Sequence, residues 1–238
     1  MVRGIKIALI PARGGSKRFS RQNIRSFAGK PLIDYSIEAA LKSGKFNKVV
    51  VSSDSSVLSH CARILGADAL ERPQLLSSDD ASSSSVVIHF LSGYPQCEWF
   101  ALLQPTAPLR SVVDTRNAVD FYGGGEIIES VVAVSQLTVH FQGLSLATSE
   151  SKLVFLAKFM NMAEIFDENS QYVYVNGSIY TSRSDRIREG LSLVDHDSHC
   201  PLGPKIRPID IDDEIDWVVG EALAEKRQLN GNNFSYGC

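Results

Sequence analysis

The chain lacks most of the marks that set a protein apart from the ordinary water-soluble class. Only four of its 238 residues are cysteine. Cys61, Cys97, Cys200 and Cys238 show neither zinc-ligand spacing nor the density of a disulfide framework, so reduced thiols in the cytoplasm are expected. No apolar run approaches the roughly 20 residues of a membrane-crossing helix, so no membrane partner is expected. Met1-Val2-Arg3-Gly4 runs directly into a strand pattern, without a signal-peptide layout. The formal net charge is −3, which argues against a nucleic-acid partner held by a basic surface. Two common phosphate motifs are missing as well. Gly29-Lys30-Pro31 places proline where a Walker A loop needs a hydroxyl residue, and no Gly-x-Gly-x-x-Gly fingerprint occurs.

What is there is alternation. Ile5–Ile10 reads as a buried strand. Lys30–Ser43 reads as a helix, with Pro31 in its first turn, apolar residues Leu32, Ile33, Ile37, Ala40 and Leu41 at helical spacing, and Gly44 as its stop. Lys48–Ser52 is a second strand. Asp54-Ser55 caps a helix whose apolar positions are Val57, Leu58, Cys61, Ile64 and Leu65. The Ser- and Asp-rich stretch Ser77–Ser85 reads as a loop and cap leading into Val86-Val87-Ile88. Trp99–Leu103 is a third strand, Thr115–Tyr122 a helix broken by Gly123-Gly124-Gly125, and Ser130–Val134 a fourth strand. Repeated β-α-β spacing over this length predicts a single α/β domain, residues 1–238, with a doubly wound, mostly parallel sheet.

After Ser135 the pattern becomes short and mixed. Residues 136–172 predict an inserted β-rich arm that rejoins the sheet at Tyr172–Tyr180. Its apolar residues Phe155, Leu156, Phe159 and Met160 need cover, from a second subunit or from the parent domain. Ile206–Ile211 predicts a last strand. Glu214–Arg227 predicts a closing helix with Ile215, Val218, Val219 and Leu223 on one face, and residues 230–238 a frayed end.

Two places concentrate chemistry. Arg13, Gly14, Gly15, Ser16, Lys17, Arg18 and Arg21 follow the first strand. A glycine-rich turn lets backbone N–H groups converge on an anion, the cations add charge, and the carboxyl end of a parallel strand is where open α/β sheets bind ligands. A polyphosphate suits this loop. The second place is Ile209-Asp210-Ile211-Asp212-Asp213-Glu214. In a strand, Asp210 and Asp212 share a face, and neighbouring carboxylates need a cation between them. Magnesium prefers one or two carboxylates completed by substrate phosphates and water, so the pair suits a Mg²⁺–triphosphate complex. A second reading makes Asp212 or Asp213 a helix N-cap and Asp210 a rim charge. Gln104-Pro105-Thr106-Ala107-Pro108-Leu109-Arg110 follows a strand end, where sites form. Asn176-Gly177-Ser178 interrupts a strand, which marks a bulge or a close backbone approach. His196, Asp197, His199 and Cys200 match no defined metal spacing and read as a polar loop.

These stretches, together with Ile10-Pro11-Ala12, Asn23, Leu32-Ile33, Val51-Ser52-Ser53-Asp54, Arg72-Pro73, Asp79-Asp80-Ala81-Ser82-Ser83 and Ile179-Tyr180, follow one another in a specific order. Over nearly its whole length the chain resembles the CMP-sialic acid synthetases (acylneuraminate cytidylyltransferases) and the synthetases of related nonulosonic acids. The resemblance implies a Rossmann-like nucleotidyltransferase fold. It implies a Mg²⁺-dependent enzyme that joins CMP from CTP to the anomeric hydroxyl of a 2-keto sugar acid and releases pyrophosphate. Arg13, Ser16 and Lys17 match the triphosphate loop and Asn23 a nucleotide contact. Arg72, Ala81 and Ser83 match the cytosine-recognising segment, Gln104 a sugar-acid contact, and Asp210 and Asp212 the magnesium ligands. Arg13, Lys17 and Asp212 are then the expected catalytic residues. A cytoplasmic homodimer, its β-rich arm reaching the neighbour's site, is implied too, with a product destined for glycan biosynthesis.

Two departures from the family pattern stand out. Gln22 occupies a position where the family usually carries a lysine near the α-phosphate; a neutral amide orients phosphate without offsetting its charge. The stretch Phe166-Asp167-Glu168-Asn169-Ser170-Gln171, then Tyr174-Val175-Asn176, lacks the arginines of many relatives, so a sugar acid other than N-acetylneuraminate is expected. The alternatives are a nucleotide-binding protein with weak or lost catalysis, and a CMP-Kdo synthetase, which the Gln104-Pro105-Thr106 and Ile-Asp-Ile-Asp stretches fit less well.

Overall fold

The computed structural model describes residues 4–15, 21–78, 81–121, 128–136, 145–147, 153–155, 173–195, 198–200 and 209–229. Strand β1 (Ile5–Pro11) is apolar on both faces and fully buried from Ile7 to Ile10, as a central parallel strand must be. On one face Ala8 and Ile10 pack with Ile33 and Ile37 of α1 (Leu32–Ser43), Leu58 of α2 (Ser56–Ile64) and Ala118 of α4 (Val112–Phe121). On the other, Ile7 and Leu9 pack with Val87 and Phe90 of α3 (Ser83–Gly93) and Ile187 of α5 (Ser184–Arg188). The alternation of β1 side chains thus builds two cores, one on each side of the sheet.

Among the described residues the sheet has six strands. With β4 (Lys48–Ser53), β5 (Asp68–Glu71), β6 (Cys97–Leu103), β7 (Ser130–Gln136) and β10 (Val173–Arg183), its order is β5-β4-β1-β6-β10-β7. Strands β5, β4, β1 and β6 run parallel, and β10 is antiparallel to both of its neighbours. This is the doubly wound, mostly parallel sheet that the sequence predicts. A small hairpin, β2 (Ser26–Phe27) and β3 (Lys30–Pro31), takes the first two residues expected in the first helix, so α1 begins at Leu32 with Pro31 as its N-cap. Ser55 caps α2 by accepting the Leu58 N–H, as expected. Within α2, however, Val57 and Ile64 face solvent, and Leu58 and Ala62 carry the packing against β4 and β5. Helix α4 starts early because Ser111 and Asp114 cap each other, the Ser111 N–H reaching Asp114 Oδ2 at 2.8 Å and the Asp114 N–H reaching Ser111 Oγ at 3.0 Å. In the expected arm, β8 (Ser145–Ala147) and β9 (Leu153–Phe155) pair antiparallel; its remaining residues from 137 to 172 lie outside the described residues, as do residues 230–238.

Two expectations about the end of the chain need correction. Ile209–Ile211 is not part of a strand. It crosses the carboxyl ends of the strands, where the Ile211 N–H finds the loop carbonyl of Thr106 at 2.8 Å in place of a ladder partner. The preceding residues 201–208 lie outside the described residues. In α6 (Glu214–Leu229), Ile215, Val218 and Val219 are exposed, and the buried face carries Trp217, Gly220 and Ala224. Trp217 selects that face, because its large ring outweighs the aliphatic row. It packs edge-on to Phe27 with centroids 5.3 Å apart, and a Cβ on Gly220 would come within 3.1 Å of the same Phe27 ring. The Arg25 guanidinium lies 4.4 Å over Trp217 and pairs with Glu214 at 3.1 Å, and the Ala28 N–H donates to Glu221 at 3.0 Å.

Trp217→Ala should therefore undock α6. Truncating a fully buried tryptophan costs about 3–5 kcal/mol, which urea unfolding would read as a lowered midpoint. A change below about 1 kcal/mol would mean that α6 is held by something else.

Candidate active site

A cleft of about 600 Å³ opens beyond the carboxyl ends of β1 and β6. The chain leaves β1 for β4 on one side and returns to β6 on the other, and open α/β sheets take ligands at such switch points. Arg13 enters the cleft after β1, Arg72 after β5, Ala81 and Ser83 at the start of α3, and Gln104 after β6. Asn23 comes from a short 3-10 turn, Gln22–Ile24, and Asp212 from the segment before α6. Seven of the residues expected from the sequence thus line one cavity. Ser16 and Lys17 lie outside the described residues. Asp210 lines a second lobe of about 550 Å³, beside Tyr174, Gly177, Tyr180 and Asp216. Asp212 lines both lobes.

The loop after β1 is built on close contacts. The Gly14 N–H donates to Asp54 Oδ1 at 2.8 Å, and a Cβ on Gly14 would lie 2.8 Å from the Ser55 Cβ. Only glycine lets the loop rest there. This amide is therefore committed to a protein carboxylate, which corrects the expectation that both glycine amides face a bound anion. Asn23 closes the loop by donating to the Arg13 carbonyl at 3.0 Å. Arg21 takes the left-handed conformation, φ 57°, and its carbonyl accepts from the Ile24 and Arg25 N–H groups, which hold the turn in place.

Two arginines are buried here, Arg72 in the wall of the first lobe and Arg110 behind Gln104. Arg72 donates from Nε to Ser77 Oγ at 3.1 Å, while one terminal nitrogen is buried without a hydrogen-bond partner among the described residues. Burial lowers its pKa, with Asp54 opposing and Arg13 adding to the effect. A buried cation with a spare donor at a cavity wall is suited to an acceptor atom of a ligand. Arg110 is only 5 % exposed. It donates to the Gln104 carbonyl at 3.1 Å, to the Ser178 carbonyl at 2.7 Å and to the Ser36 hydroxyl. Burial pushes its pKa down to about 10, with Asp114 opposing, so it stays charged at neutral pH. Sequence reasoning gave Arg110 no role; its position beside a Pro-rich strand end was the signal available.

The second lobe forms where β10 is interrupted. Its register against β7 shifts between Val175 and Tyr180, and Gly177 sits at φ 77°, the expected bulge. The Asn176 side chain accepts the Ser178 N–H at 3.0 Å and donates to Ser135 Oγ at 3.0 Å. A Cβ on Gly177 would lie 3.1 Å from Asp210 Oδ2, so glycine lets the carboxylate approach the backbone. Asp210 and Asp212 do not share a strand face, because no strand is there, but both line this lobe. Helix capping falls to Asp213, whose Oδ1 accepts the Ile215 and Asp216 N–H groups at 2.8 and 2.9 Å.

Burial raises the pKa of Asp210; a hydrogen bond with Thr106 opposes this, and the Asp212 and Asp216 carboxylates raise it further. Among the described residues no group of three or more His, Cys, Asp or Glu side chains is arranged to hold a metal alone. A carboxylate crowded by two others fits a cation that brings phosphate and water as its other ligands.

A raised folded-state pKa means that ionising Asp210 costs stability: its contribution is fully present below the unfolded carboxylate pKa and is lost as pH rises through the folded value. Asp210→Asn should raise the unfolding midpoint of the ligand-free protein at neutral pH, and the gain should shrink as pH falls toward about 4. A midpoint that drops at neutral pH would show that the carboxylate is well compensated.

In sequence and in fold the chain is similar to known proteins. The family described as Cytidylyltransferase matches residues 7–229. A CMP-N,N'-diacetyllegionaminic acid synthase of Legionella pneumophila is 37% identical over 231 residues, covering 93% of this chain and 97% of the relative. An N-acylneuraminate cytidylyltransferase of Escherichia coli is 35% identical over 222 residues, 93% of this chain, but this chain spans only 52% of that protein. A pseudaminic acid cytidylyltransferase of Campylobacter jejuni is 49% identical over 108 residues, 43% of this chain and 47% of the relative. The fold matches a CMP:2-keto-3-deoxy-manno-octonic acid synthetase complexed with CTP, at a TM-score of 0.64 and 15% identity over 97% of this chain and 100% of that one. It also matches a 4-diphosphocytidyl-2C-methyl-D-erythritol synthase of Anaerococcus prevotii, at a TM-score of 0.65 and 9% identity over 93% of this chain and 99% of that one. With a family match that runs from the first strand to the last turn of α6, the chain belongs to the cytidylyltransferases, a family of nucleotidyltransferases.

Proposed function

We propose that this protein joins CMP from CTP to the anomeric hydroxyl of a nonulosonic acid and releases pyrophosphate. The observation that carries this reading is the position of Asp212, which lines both lobes, while Arg13 and Arg72 line the first and Asp210 the second. The first lobe takes CTP. Arg13 and Lys17 hold the β- and γ-phosphates and steady the departing pyrophosphate. The spare donor of Arg72 and the start of α3, at Ala81 and Ser83, hold the cytosine. Gln104 and the second lobe hold the sugar acid, so that its hydroxyl meets the α-phosphate beside Asp212. The Asp212 carboxylate oxygen that would not be on the metal then accepts the proton of the attacking hydroxyl. Asp210 and Asp212 would hold Mg²⁺, which when bound neutralises phosphate charge and polarises the phosphorus. The same reading has the protein working as a cytoplasmic homodimer, with the arm of residues 136–172 at the partner's site and the product feeding glycan synthesis. The names of the Legionella and Campylobacter relatives support a legionaminic- or pseudaminic-type acid as acceptor.

Pyrophosphate release from CTP and Mg²⁺, measured across N-acetylneuraminic, legionaminic, pseudaminic and Kdo acids, tests this reading. Turnover is expected with at least one nine-carbon acid, and Arg13→Ala or Asp212→Ala should lower kcat/KM by about 10²–10³-fold. Undiminished turnover in both variants would reject the assignments. Tight CTP binding without turnover on any acid would make the chain a nucleotide-binding protein instead.

A further inference from the structure

The first lobe contains a side chain to which the reading above gives no task. Gln22 lines the cleft, and its Nε2 donates to the carbonyl of Ile211 at 2.7 Å, across 189 residues of sequence. That carbonyl belongs to the peptide unit leading into Asp212. The N–H of the same peptide donates to Asp216 Oδ2 at 3.0 Å. One residue earlier, the Ile211 N–H is fixed on the Thr106 carbonyl at 2.8 Å. The peptide plane before Asp212 is therefore pinned on both edges, one edge from the phosphate loop and the other from α6. The neighbouring residue Asn23, buried, pins the other end of the loop through the Arg13 carbonyl. Two consecutive amides thus fasten Arg13 and Asp212 to one short turn.

We propose that Gln22 is a positioning residue that sets the Asp212 carboxylate at the junction of the two lobes relative to the loop carrying Arg13. This rests on the reading of Asp212 given above. The physical reason is geometric. A carboxylate on an irregular segment has no ladder to hold its Cα, and a displacement of about 1 Å at a reacting centre costs as much as a hundredfold in rate. A peptide clamped at its carbonyl and its N–H removes that freedom. Glutamine has the reach, and its neutral N–H donates to a carbonyl without placing a permanent charge next to the aspartates.

The test compares wild type with Gln22→Met, which keeps the bulk and loses the donor, and Gln22→Lys, which restores a donor. Three readouts are taken on the whole chain: kcat with CTP and the accepted acid, Mn²⁺ binding in the presence of CTP by electron paramagnetic resonance, and amide hydrogen exchange of residues 209–216 without ligand. Gln22→Met should weaken Mn²⁺ binding by roughly tenfold, as removal of a group that orients a metal ligand does. It should lower kcat by a similar factor, leave the KM for CTP within about twofold, and speed exchange in 209–216. Gln22→Lys should recover the slow exchange, because it restores a donor to the Ile211 carbonyl, while its charge beside the aspartates keeps Mn²⁺ binding below wild type. Mn²⁺ binding and exchange in Gln22→Met that superimpose on wild type would overturn the proposal, as would a lowered melting temperature with both unchanged. If wild type binds no Mn²⁺–CTP and turns over no acid, the cytidylyltransferase reading falls, and the exchange comparison alone then decides whether Gln22 holds the segment.

Discussion

The contact between Trp217 and Phe27 is the one on which the site depends. Arg13 and Asp212 come from opposite ends of the chain, and among the described residues before α6, 209–213, no strand pairing joins the chain to the sheet. What brings them together is α6 seated on the turn and hairpin that come after the loop carrying Arg13. Two fully buried rings in an edge-on contact contribute several times what an exposed ion pair does: about 1.5–3 kcal/mol for burying a large apolar side chain, and about 0.5–1.5 more for the aromatic geometry. The Arg25–Glu214 pair, exposed on both sides, is worth about 0–1 kcal/mol. Its use is register: with the Ala28–Glu221 bond it fixes which turn of α6 faces the loop, and so where Asp212 lies.

Charge is distributed unevenly along the cleft, and the unevenness has a direction. The first lobe carries Arg13 and Arg72, with Asp54 drawn away to hold the loop backbone. The second carries Asp210, Asp212 and Asp216, close enough that their repulsion adds to burial in raising the Asp210 pKa. Each lobe alone is electrostatically incomplete. A ligand that puts anionic phosphates against the arginines and a cation against the carboxylates satisfies both at once, and a nucleoside triphosphate with its metal has that polarity. The native state thus carries at Asp210 a carboxylate whose ionisation is disfavoured at rest, and on the proposed function a bound cation would relieve it.

The sheet was largely legible in the sequence because β1, β4 and β6 are buried runs separated by helices of regular period, and such patterns are local. The cleft was legible in part for the same reason: Arg13 and Gln104 each follow an expected strand end, and parallel strands bring their ends together, whereas Arg72 follows the short strand β5, whose pattern is too weak to read, and comes from the family resemblance alone. The failures are nonlocal. Ile209–Ile211 has the alternation of a strand, but pairing needs a neighbour, and the neighbour it meets is the Thr106 loop. The sequence points to the wrong face of α6 because four aliphatic residues at helical spacing outnumber one tryptophan; of the four only Leu223 packs against the Trp217 cluster. Only the position of Phe27 decides between the faces, and that is a tertiary fact. The Gly14 amide was read as free because the carboxylate that takes it lies 40 residues away.

Arg110 shows how a residue outside the chemistry holds the two lobes in one frame. Its guanidinium bonds the carbonyl of Gln104 in the first lobe, the carbonyl of Ser178 beside the bulge that forms the second, and the hydroxyl of Ser36 on α1. No carboxylate lies among these bonding partners; Asp114 acts on it through the field. Leaving a cation so deeply buried on neutral acceptors is costly, and a hydrophobic residue of similar volume would relieve the desolvation. It would also take a donor from two carbonyls, although Gln104 keeps the Ala107 N–H and the Ser36 hydroxyl and Ser178 keeps the Gln104 N–H, and would release both lobes from the same anchor. Lysine has one nitrogen on a flexible stem and does not span three acceptors in fixed directions, whereas the planar fork of arginine does. On the proposed function the ligands are anions on both sides of the reaction, and the retained positive charge then raises the local potential in the direction that phosphate and sugar acid both require, from the same group that fixes the geometry.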